Sequence, residues 1–254
     1  MEYLADHTTT TARDRLAEVE VALLPTGATE QHGPALPLST DFRAAETLAE
    51  RIDRDDTVRL PTIPVGVSDH HRQFHGTLSV TPETFEDYVG ETVASLADHG
   101  VRKVVLVNGH GGNSDALRRA ARRLRRREVA FAVPWNWWAN LDGLTRELFG
   151  EGDIGHADAT ETSMVYAVDD DLVREDALEA AEAGAAASWG KSVHGGEVGF
   201  DTVDFSESGA VGRPTEASPE AGRRLLDSAT DDLDALVDWL AARPFADLLP
   251  REHR

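Results

Sequence analysis

Apolar and polar positions along the chain follow two patterns, one typical of buried strands and one typical of amphipathic helices. Short apolar runs predict strands at residues 21–24, 58–65, 101–108 and 129–133. Apolar residues at helical spacing predict helices at residues 41–52, 81–98, 113–127, 161–168, 177–187 and 219–242. This alternation indicates an α/β fold in which helices cover both faces of a parallel sheet. Since we find neither an internal repeat nor a linker, residues 1–254 are predicted to form one domain.

Side chains that can bind metal follow two of these predicted strands. Glu30 and His32 come after the first strand, and His110 lies after the third in the glycine-rich run 108–113. Parallel α/β sheets bind ligands at the carboxyl ends of their strands. Together with Asp41, these side chains offer oxygen and nitrogen ligands for one or two divalent metals. The alternative for each one taken alone is a structural histidine or an ordinary turn glycine.

The segment 156–163 carries a second group of ionisable residues. Glu161 is either a metal ligand or a first-turn acid that complements the dipole of the helix at 161–168. The same two interpretations apply to Asp158, which we count among the candidate substrate-binding residues. His156 is a candidate to carry a proton between an attacking water and a leaving nitrogen.

Two further segments are candidates to line a substrate cavity. The first, residues 68–77, contains Ser68, His75 and the adjacent pair His70 and His71. We predict a substrate-lining loop there rather than a second metal site, because adjacent histidines generally point apart. The second segment contains the tryptophans Trp135, Trp137 and Trp138. They either wall off a pocket from water or pack at a subunit interface.

Composition narrows the possible partners. The chain has no cysteine, so disulfides, thiolate metal sites and a cysteine nucleophile are excluded. Its net charge of -21 disfavours nucleic acid and anionic membranes as partners. No signal peptide or membrane span is recognisable, which predicts a cytoplasmic protein. Many acidic residues and only two lysines, Lys103 and Lys191, suggest adaptation to a high-salt cytoplasm, as in halophilic archaea.

An arginine-rich stretch at 116–127 stands out in so acidic a chain. The default interpretation is a solvated helix face. The alternatives are that it attracts a phosphate or contacts a neighbouring subunit.

Four motifs resemble, in order, those of the creatininase family of metal-dependent amidohydrolases. The first is Gly27-x-x-Glu30-Gln31-His32-Gly33-Pro34-x-Leu36-Pro37-Leu38-x-Thr40-Asp41. The others are Phe74-x-Gly76-Thr77-Leu78-Ser79, Asn108-Gly109-His110-Gly111-Gly112-Asn113, and His156-Ala157 with Glu161-Thr162-Ser163. A weaker late match is Ser208-Gly209-x-x-Gly212-x-Pro214, so the resemblance spans residues 20 to 240.

The resemblance implies a three-layer αβα fold around a mainly parallel sheet, a centre of two divalent metals (Zn, Mn or Fe) and a homo-oligomer, often a hexamer. By position, one metal would be held by Glu30, Asp41 and His110. The other would be held by His32, with Asp41 bridging the two metals. His156 would carry the proton at the substrate.

Two positions depart from the family pattern. The creatinine-hydrolysing branch has a ligand glutamate two positions after the loop histidine, where this chain has Gly112. Glu161 is our candidate for the missing carboxylate. Asp158 replaces the glycine of the usual His-Ala-Gly, and Gly111 leaves open the space that a bulky residue fills in the creatinine branch.

We therefore predict a hydrolase of carbon–nitrogen bonds in which two metals activate a water that attacks a small-molecule amide. The favoured substrate is the formylamino-pyrimidine ribonucleotide of flavin and deazaflavin synthesis, by family analogy. Creatinine and a peptide trimmed during redox-cofactor maturation are the alternatives. The rivals from other classes are a non-catalytic metal-binding assembly protein and a metal-dependent phosphoesterase. Five residues are predicted to contact substrate: Ser68, His75, Gly111, Trp135 and Asp158.

Overall fold

A central sheet of five parallel strands organises the protein, which we describe from a computed structural model covering residues 2–150 and 155–251. The strands lie in the order β1-β3-β2-β4-β5. Their bounds are β1 Glu2–Tyr3, β2 Val21–Thr26, β3 Thr57–Arg59, β4 Lys103–Asn108 and β5 Phe131–Asn136. A separate antiparallel hairpin consists of β6 Lys191–Val193 and β7 Gly196–Gly199.

Helices cover both faces of this sheet. Those before β5 are α1 Thr9–Leu16, α2 Thr40–Glu50, α3 Pro82–Ala97 and α4 Ser114–Arg126. Those after it are α5 Asp142–Phe149, α6 Ala159–Val168, α7 Leu178–Ala183, α8 Pro219–Ala241 and α9 Phe245–Leu248. Within the described residues, no helix combines the length and apolar character that crossing a membrane requires.

The two faces of β2 and β4 belong to separate hydrophobic cores. Leu23 and Val105 pack with α2 and α8 on one face. Leu24 and Leu106, which follow them directly, pack with α3 and α4 on the other face. Successive side chains of a strand point to opposite faces, and parallel strands are buried on both. The predicted three-layer αβα arrangement around a mainly parallel sheet is thus confirmed.

Several predicted element bounds need correction. The predicted strand 58–65 pairs as a strand only over Thr57–Arg59, because Pro61 and Pro64 cannot donate to a ladder; Ile63 makes an isolated bridge to Thr26. The helix predicted at 177–187 is shorter, since α7 ends before Gly184. Elements β1, α1 and the β6–β7 hairpin carry no strong periodicity and were not predicted.

The order of the strands creates a crevice between β2 and β4. From β2 the chain passes through α2 to β3 on one side, whereas from β4 it passes through α4 to β5 on the other. Helices α2 and α4 lie on opposite faces, so the loops after β2 and β4 diverge. This is the position at which doubly wound α/β sheets bind ligands.

Candidate metal centre

Two glycines bring helix α2 against the carboxyl ends of the central strands. A Cβ atom on Gly27 would lie 2.4 Å from the backbone nitrogen of Phe42, and one on Gly109 would lie 2.0 Å from the carbonyl oxygen of Asp41. Any larger residue would push α2 away from the sheet. The close approach places Asp41, in the first turn of α2, between the loops that carry His32 and His110.

Asp41 lies at the centre of a buried group of charged side chains. Its Oδ1 atom lies 3.0 Å from Nε2 of His32, and its Oδ2 atom lies 3.1 Å from Nδ1 of His110. The same His110 nitrogen lies 3.3 Å from Oε1 of Glu30. Glu30, His32, Asp41 and His110 are at most 5 % exposed. The structure thus brings together the four ligand candidates from the first and third motifs.

Backbone carbonyls determine which imidazole nitrogens face the centre. Nδ1 of His32 lies 3.2 Å from the carbonyl oxygen of Glu30, and Nε2 of His110 lies 2.9 Å from that of Val67. A carbonyl oxygen only accepts, so each of these nitrogens carries a hydrogen and donates it. Nε2 of His32 and Nδ1 of His110 are left to face the carboxylates, in the arrangement that metal-binding histidines use.

Helix α6 and the loop before it add Glu161 and His156, respectively, to the group. Oε2 of Glu161 lies 3.5 Å from Nε2 of His32 and 3.8 Å from Nδ1 of His156, and it accepts a 2.6 Å hydrogen bond from the Ala157 backbone N–H. Nε2 of His156 lies 2.8 Å from the carbonyl oxygen of Gln31 and therefore donates to it. Both side chains lie where the loop before α6 meets the loop after β2.

The donor atoms of this group fit divalent cations. Several are fully buried but make no hydrogen bond: both carboxylate oxygens of Glu30, Oδ2 of Asp41, and Nε2 of His32 and His71. Leaving such atoms unsatisfied costs free energy, and a coordinated cation would satisfy those of Glu30, Asp41 and His32. Three sets of donor atoms lie within 4.8 Å of one another: Glu30, His32 and His156; Glu30, His70 and His110; and His32, Asp41 and Glu161.

The pKa shifts favour the charged forms of two carboxylates and of one imidazole in the group. Burial disfavours the charged forms of Glu30 and Asp41, but nearby imidazoles outweigh it; the pKa of Glu30 falls to about 2 beside His110, and that of Asp41 to about 2 beside His32. Burial also opposes the charged form of His32, yet Asp41 raises its pKa to about 10. Before metal binds, the group therefore holds protons on imidazoles that a metal must displace.

Glu161 and His156 shift towards their neutral forms. Burial raises the pKa of Glu161 to about 8, against the opposing attraction of His32. Burial and the nearby His32 lower the pKa of His156 to about 3. At neutral pH His156 is consequently uncharged, and its Nδ1 atom is available to accept a proton.

A cavity of about 430 Å³ opens over these side chains. Its polar lining comprises Glu30, His70, His71, His110, His156 and Glu161. The remainder is aromatic or glycine: Trp137, Trp138, Trp189, Gly111, Gly112 and Gly155. None of the described residues that line it is a lysine or an arginine.

The five predicted substrate-binding residues occupy different environments. Gly111 lines the cavity. Ser68 is fully buried behind it, with Oγ 3.4 Å from Nε2 of His110. His75 is exposed and does not line the cavity. Trp135 packs into the core and does not line the cavity, whereas Trp137, which packs against the same core, and Trp138 do line it. Asp158 caps α6 and lines a neighbouring cavity of about 520 Å³.

Sequence reasoning did not single out four residues that lie in or beside the cavity. His71 and His70 both face it from a 3₁₀ turn, Asp69–His71, where their rings lie 4.2 Å apart; the expectation that adjacent histidines point apart holds only for extended backbone. Gln31, between the two motif residues, contacts two of the histidines. Trp189 reaches the cavity from a distant segment, 5.8 Å from the ring of His156, and no local signal marks it.

The family described as "Creatininase: Creatinine amidohydrolase" matches residues 5–237. "Mycofactocin precursor peptide peptidase" of Mycobacterium ulcerans is 34% identical over 231 residues, 85% of this chain and 84% of that protein. "Creatinine amidohydrolase" of Pseudomonas putida is 30% identical over 171 residues, 60% of this chain and 66% of that protein. The solved structure "Creatininase Mn" has a TM-score of 0.78 and 25% identity, covering 95% of this chain and 99% of its own.

Proposed function

The chain belongs to the creatininase family of amidohydrolases, and we propose that it hydrolyses an amide C–N bond at a centre of two divalent cations. The observation that carries this proposal is the set of buried, unpaired donor atoms of Glu30, His32 and Asp41, of which Glu30 lines the cavity. Buried ionisable groups of this kind cost stability, and proteins retain them where they bind metal or act in catalysis.

The donor sets suggest how two cations would be shared. One would be held by Glu30, Asp41 and His110, and the other by His32, Asp41 and Glu161. Carboxylate and imidazole ligands suit zinc, manganese or iron. When bound, such cations supply Lewis acidity that makes water nucleophilic near neutral pH and polarises a carbonyl group.

His156 is the proposed proton carrier. Because Nε2 donates to the Gln31 carbonyl, Nδ1 faces the cavity with a free lone pair, 3.8 Å from both Glu30 and Glu161. It takes a proton from the attacking water as the oxygen–carbon bond forms. It then gives this proton to the leaving nitrogen as the carbon–nitrogen bond breaks, so that the products are an acid and an amine.

For the substrate, we propose a peptide segment with an apolar or aromatic side chain near the scissile bond. Trp137, Trp138 and Trp189 offer an aromatic wall, and the described lining residues offer no cation for a phosphate. The mycobacterial relative that is named as a precursor peptide peptidase supports the same class.

The formylamino-pyrimidine ribonucleotide predicted from the sequence is the second candidate. A Cβ atom on Gly111 would meet nothing within 4 Å, so the loop beside His110 leaves room for a ring. Two of the α4 arginines that were candidates to attract its phosphate form ion pairs with a neighbouring helix. Arg119 and Arg123 pair with Glu86 and Asp87 of α3.

An assay on the zinc- or manganese-loaded protein tests the proposal. Short peptides with apolar residues, the formylamino nucleotide, creatinine and a phosphoester panel are each offered, and formation of amine, formate, creatine or phosphate is measured. We expect amine release from a peptide, its loss in His156→Ala, and its retention in the control His99→Ala, which alters an exposed histidine outside the cavity. Phosphate release alone would indicate a phosphoesterase. No turnover despite bound metal would favour the assembly protein and contradict the proposal.

A further inference from the structure

The buried side-chain amide of Gln31 has more neighbouring polar atoms than it has hydrogens to donate. Its Oε1 atom accepts from the Gly33 backbone N–H at 2.9 Å, which fixes which end of the amide is the nitrogen. Its Nε2 atom lies 2.8 Å from Nδ1 of His71, 2.9 Å from Nε2 of His156 and 3.0 Å from the carbonyl oxygen of Gly209. An amide NH₂ has two hydrogens, so one of these three neighbours cannot accept.

The neighbour that does not accept is His156. Its Nε2 atom also lies 2.8 Å from the backbone carbonyl oxygen of Gln31, which can only accept. Nε2 of His156 therefore carries a hydrogen and has no lone pair for the Gln31 amide. The two amide hydrogens go to Gly209 and to Nδ1 of His71, so both hydrogens of the Gln31 amide are used.

This assignment makes His71 different from the other histidines of the centre. His32, His110 and His156 each direct their outer nitrogen at a backbone carbonyl, so their inner nitrogen is the one that can offer a lone pair to a metal. His71 directs its outer nitrogen at an amide donor instead. Its inner Nε2 atom, 3.5 Å from Oε1 of Glu30, must then carry the hydrogen.

We propose that Gln31 is a positioning residue that holds His71 as the neutral tautomer with its hydrogen on Nε2, facing the Glu30 carboxylate, and thereby excludes it from the metal ligands. A nitrogen that carries a hydrogen cannot coordinate a cation, whereas it can orient a ligating carboxylate. The tautomer assignment stands on hydrogen-bond geometry alone; the role given to Glu30 as a ligand rests on the proposed function.

Nitrogen NMR of the full, zinc-loaded chain with ¹⁵N-labelled histidine reads the tautomers directly. We expect His71 and His156 each to show a protonated Nε2 and a bare Nδ1. Gln31→Met keeps the length of the side chain and removes its donor. The Nδ1 signal of His71 should then move as its hydrogen bond is lost, while His156 keeps its tautomer through the backbone carbonyl.

The chain's other glutamine provides the matched control. Gln73 is exposed and contacts Asp201, so Gln73→Met should leave both histidine signals unchanged. A wild-type His71 protonated on Nδ1 would overturn the proposal. So would a His71 signal that Gln31→Met does not move.

Metal affinity gives a second readout that needs no substrate. His71→Ala should weaken zinc binding by about 10- to 100-fold, the range for partners of a ligand, and leave the stoichiometry intact. His110→Ala should abolish binding of one equivalent. If His71→Ala abolishes one equivalent as His110→Ala does, His71 is a ligand and the proposal fails. A protein with the expected tautomers and metal content that cleaves no amide would contradict only the proposed function.

Discussion

Nε2 of His32 and Oδ1 of Asp41 lie 3.0 Å apart in the interior, joining the loop after β2 to the first turn of α2. Both side chains are at most 2 % exposed. Removing two charges from water costs several kcal/mol for each ion, and an attraction of this kind often fails to repay it. A contribution to stability therefore does not account for this pair, whereas a role in binding metal does.

Metal binding should release protons. In the metal-free protein Asp41 raises the pKa of His32 to about 10, and burial raises the pKa of Glu161 to about 8, so both groups are protonated at pH 7. Ligation requires neutral imidazole and ionised carboxylate, so these protons must leave. Isothermal titration with zinc in two buffers of different ionisation enthalpy should give different apparent enthalpies.

The same pKa shifts determine whether zinc affinity rises or falls with pH. Because the pKa of His32 is raised, the competing proton is fully bound below pH 7 and lost only as pH approaches about 10. Zinc affinity should consequently rise from pH 6 to pH 9, measured against a competing chelator. An affinity that is constant or falls over this range would contradict the assignment of His32 as a ligand.

Asp41→Asn should remove metal while leaving the fold in place. The substitution keeps the size of the side chain but removes the charge that lies between His32 and His110. Elemental analysis of the purified variant should show loss of both equivalents if Asp41 bridges them, and loss of one if it does not. Asp55→Asn, at an exposed position, is the control and should retain full metal content.

The metal candidates could be found from sequence because their signal is local. Glu30, His32 and His110 follow apolar runs that form β2 and β4, and parallel strands place such residues at one edge of the sheet. Asp41 lies at the start of a helix with a clear apolar period. For these residues, motif chemistry and their positions after predicted parallel strands were sufficient to predict that they converge.

The cavity wall was harder to predict because it depends on contacts between distant segments. His71 meets Gln31 and His156 only after a 3₁₀ turn folds over the loop following β2. Trp189 enters from the segment before the hairpin. The sequence could not show which of Trp135 and Trp137 lines the cavity, because this depends on where β5 ends.

Asp158 should contribute mainly to the stability of α6. Its Oδ1 atom accepts from the backbone N–H groups of Thr160 and Glu161, and its Oδ2 atom accepts from that of Gly155. Asp158→Ala should lower the free energy of unfolding by about 1–2 kcal/mol, as loss of an N-cap does, and Asp158→Ser should restore part of it. Urea unfolding of the metal-free protein measures both.

The control for this prediction is Asp142→Ala. Asp142 is an exposed first-turn aspartate of α5 that caps no backbone group, so its removal should change stability by less than about 0.5 kcal/mol. If Asp158→Ala is equally mild but raises KM at constant stability, then Asp158 contacts the substrate as first predicted from the sequence.

Salt should stabilise this protein more than an ordinary one. At a net charge of -21 the folded chain repels itself, and dissolved ions screen that repulsion over about 10 Å at 0.1 M and about 3 Å at 1 M. The thermal midpoint of the metal-free protein should rise steeply with KCl up to about 1 M and more slowly beyond.

Acidic residues of α8 provide a test that separates the screening of self-repulsion from other effects of salt on stability. Asp231 and Asp232 form no ion pair among the described residues, and replacing both with asparagine removes charge at nearly constant volume. The double variant should be more stable than wild type at 0.1 M KCl and indistinguishable from it above 1 M. If the difference persists at high salt, or if the wild-type midpoint does not depend on KCl, self-repulsion does not limit stability and the inference of salt adaptation is wrong.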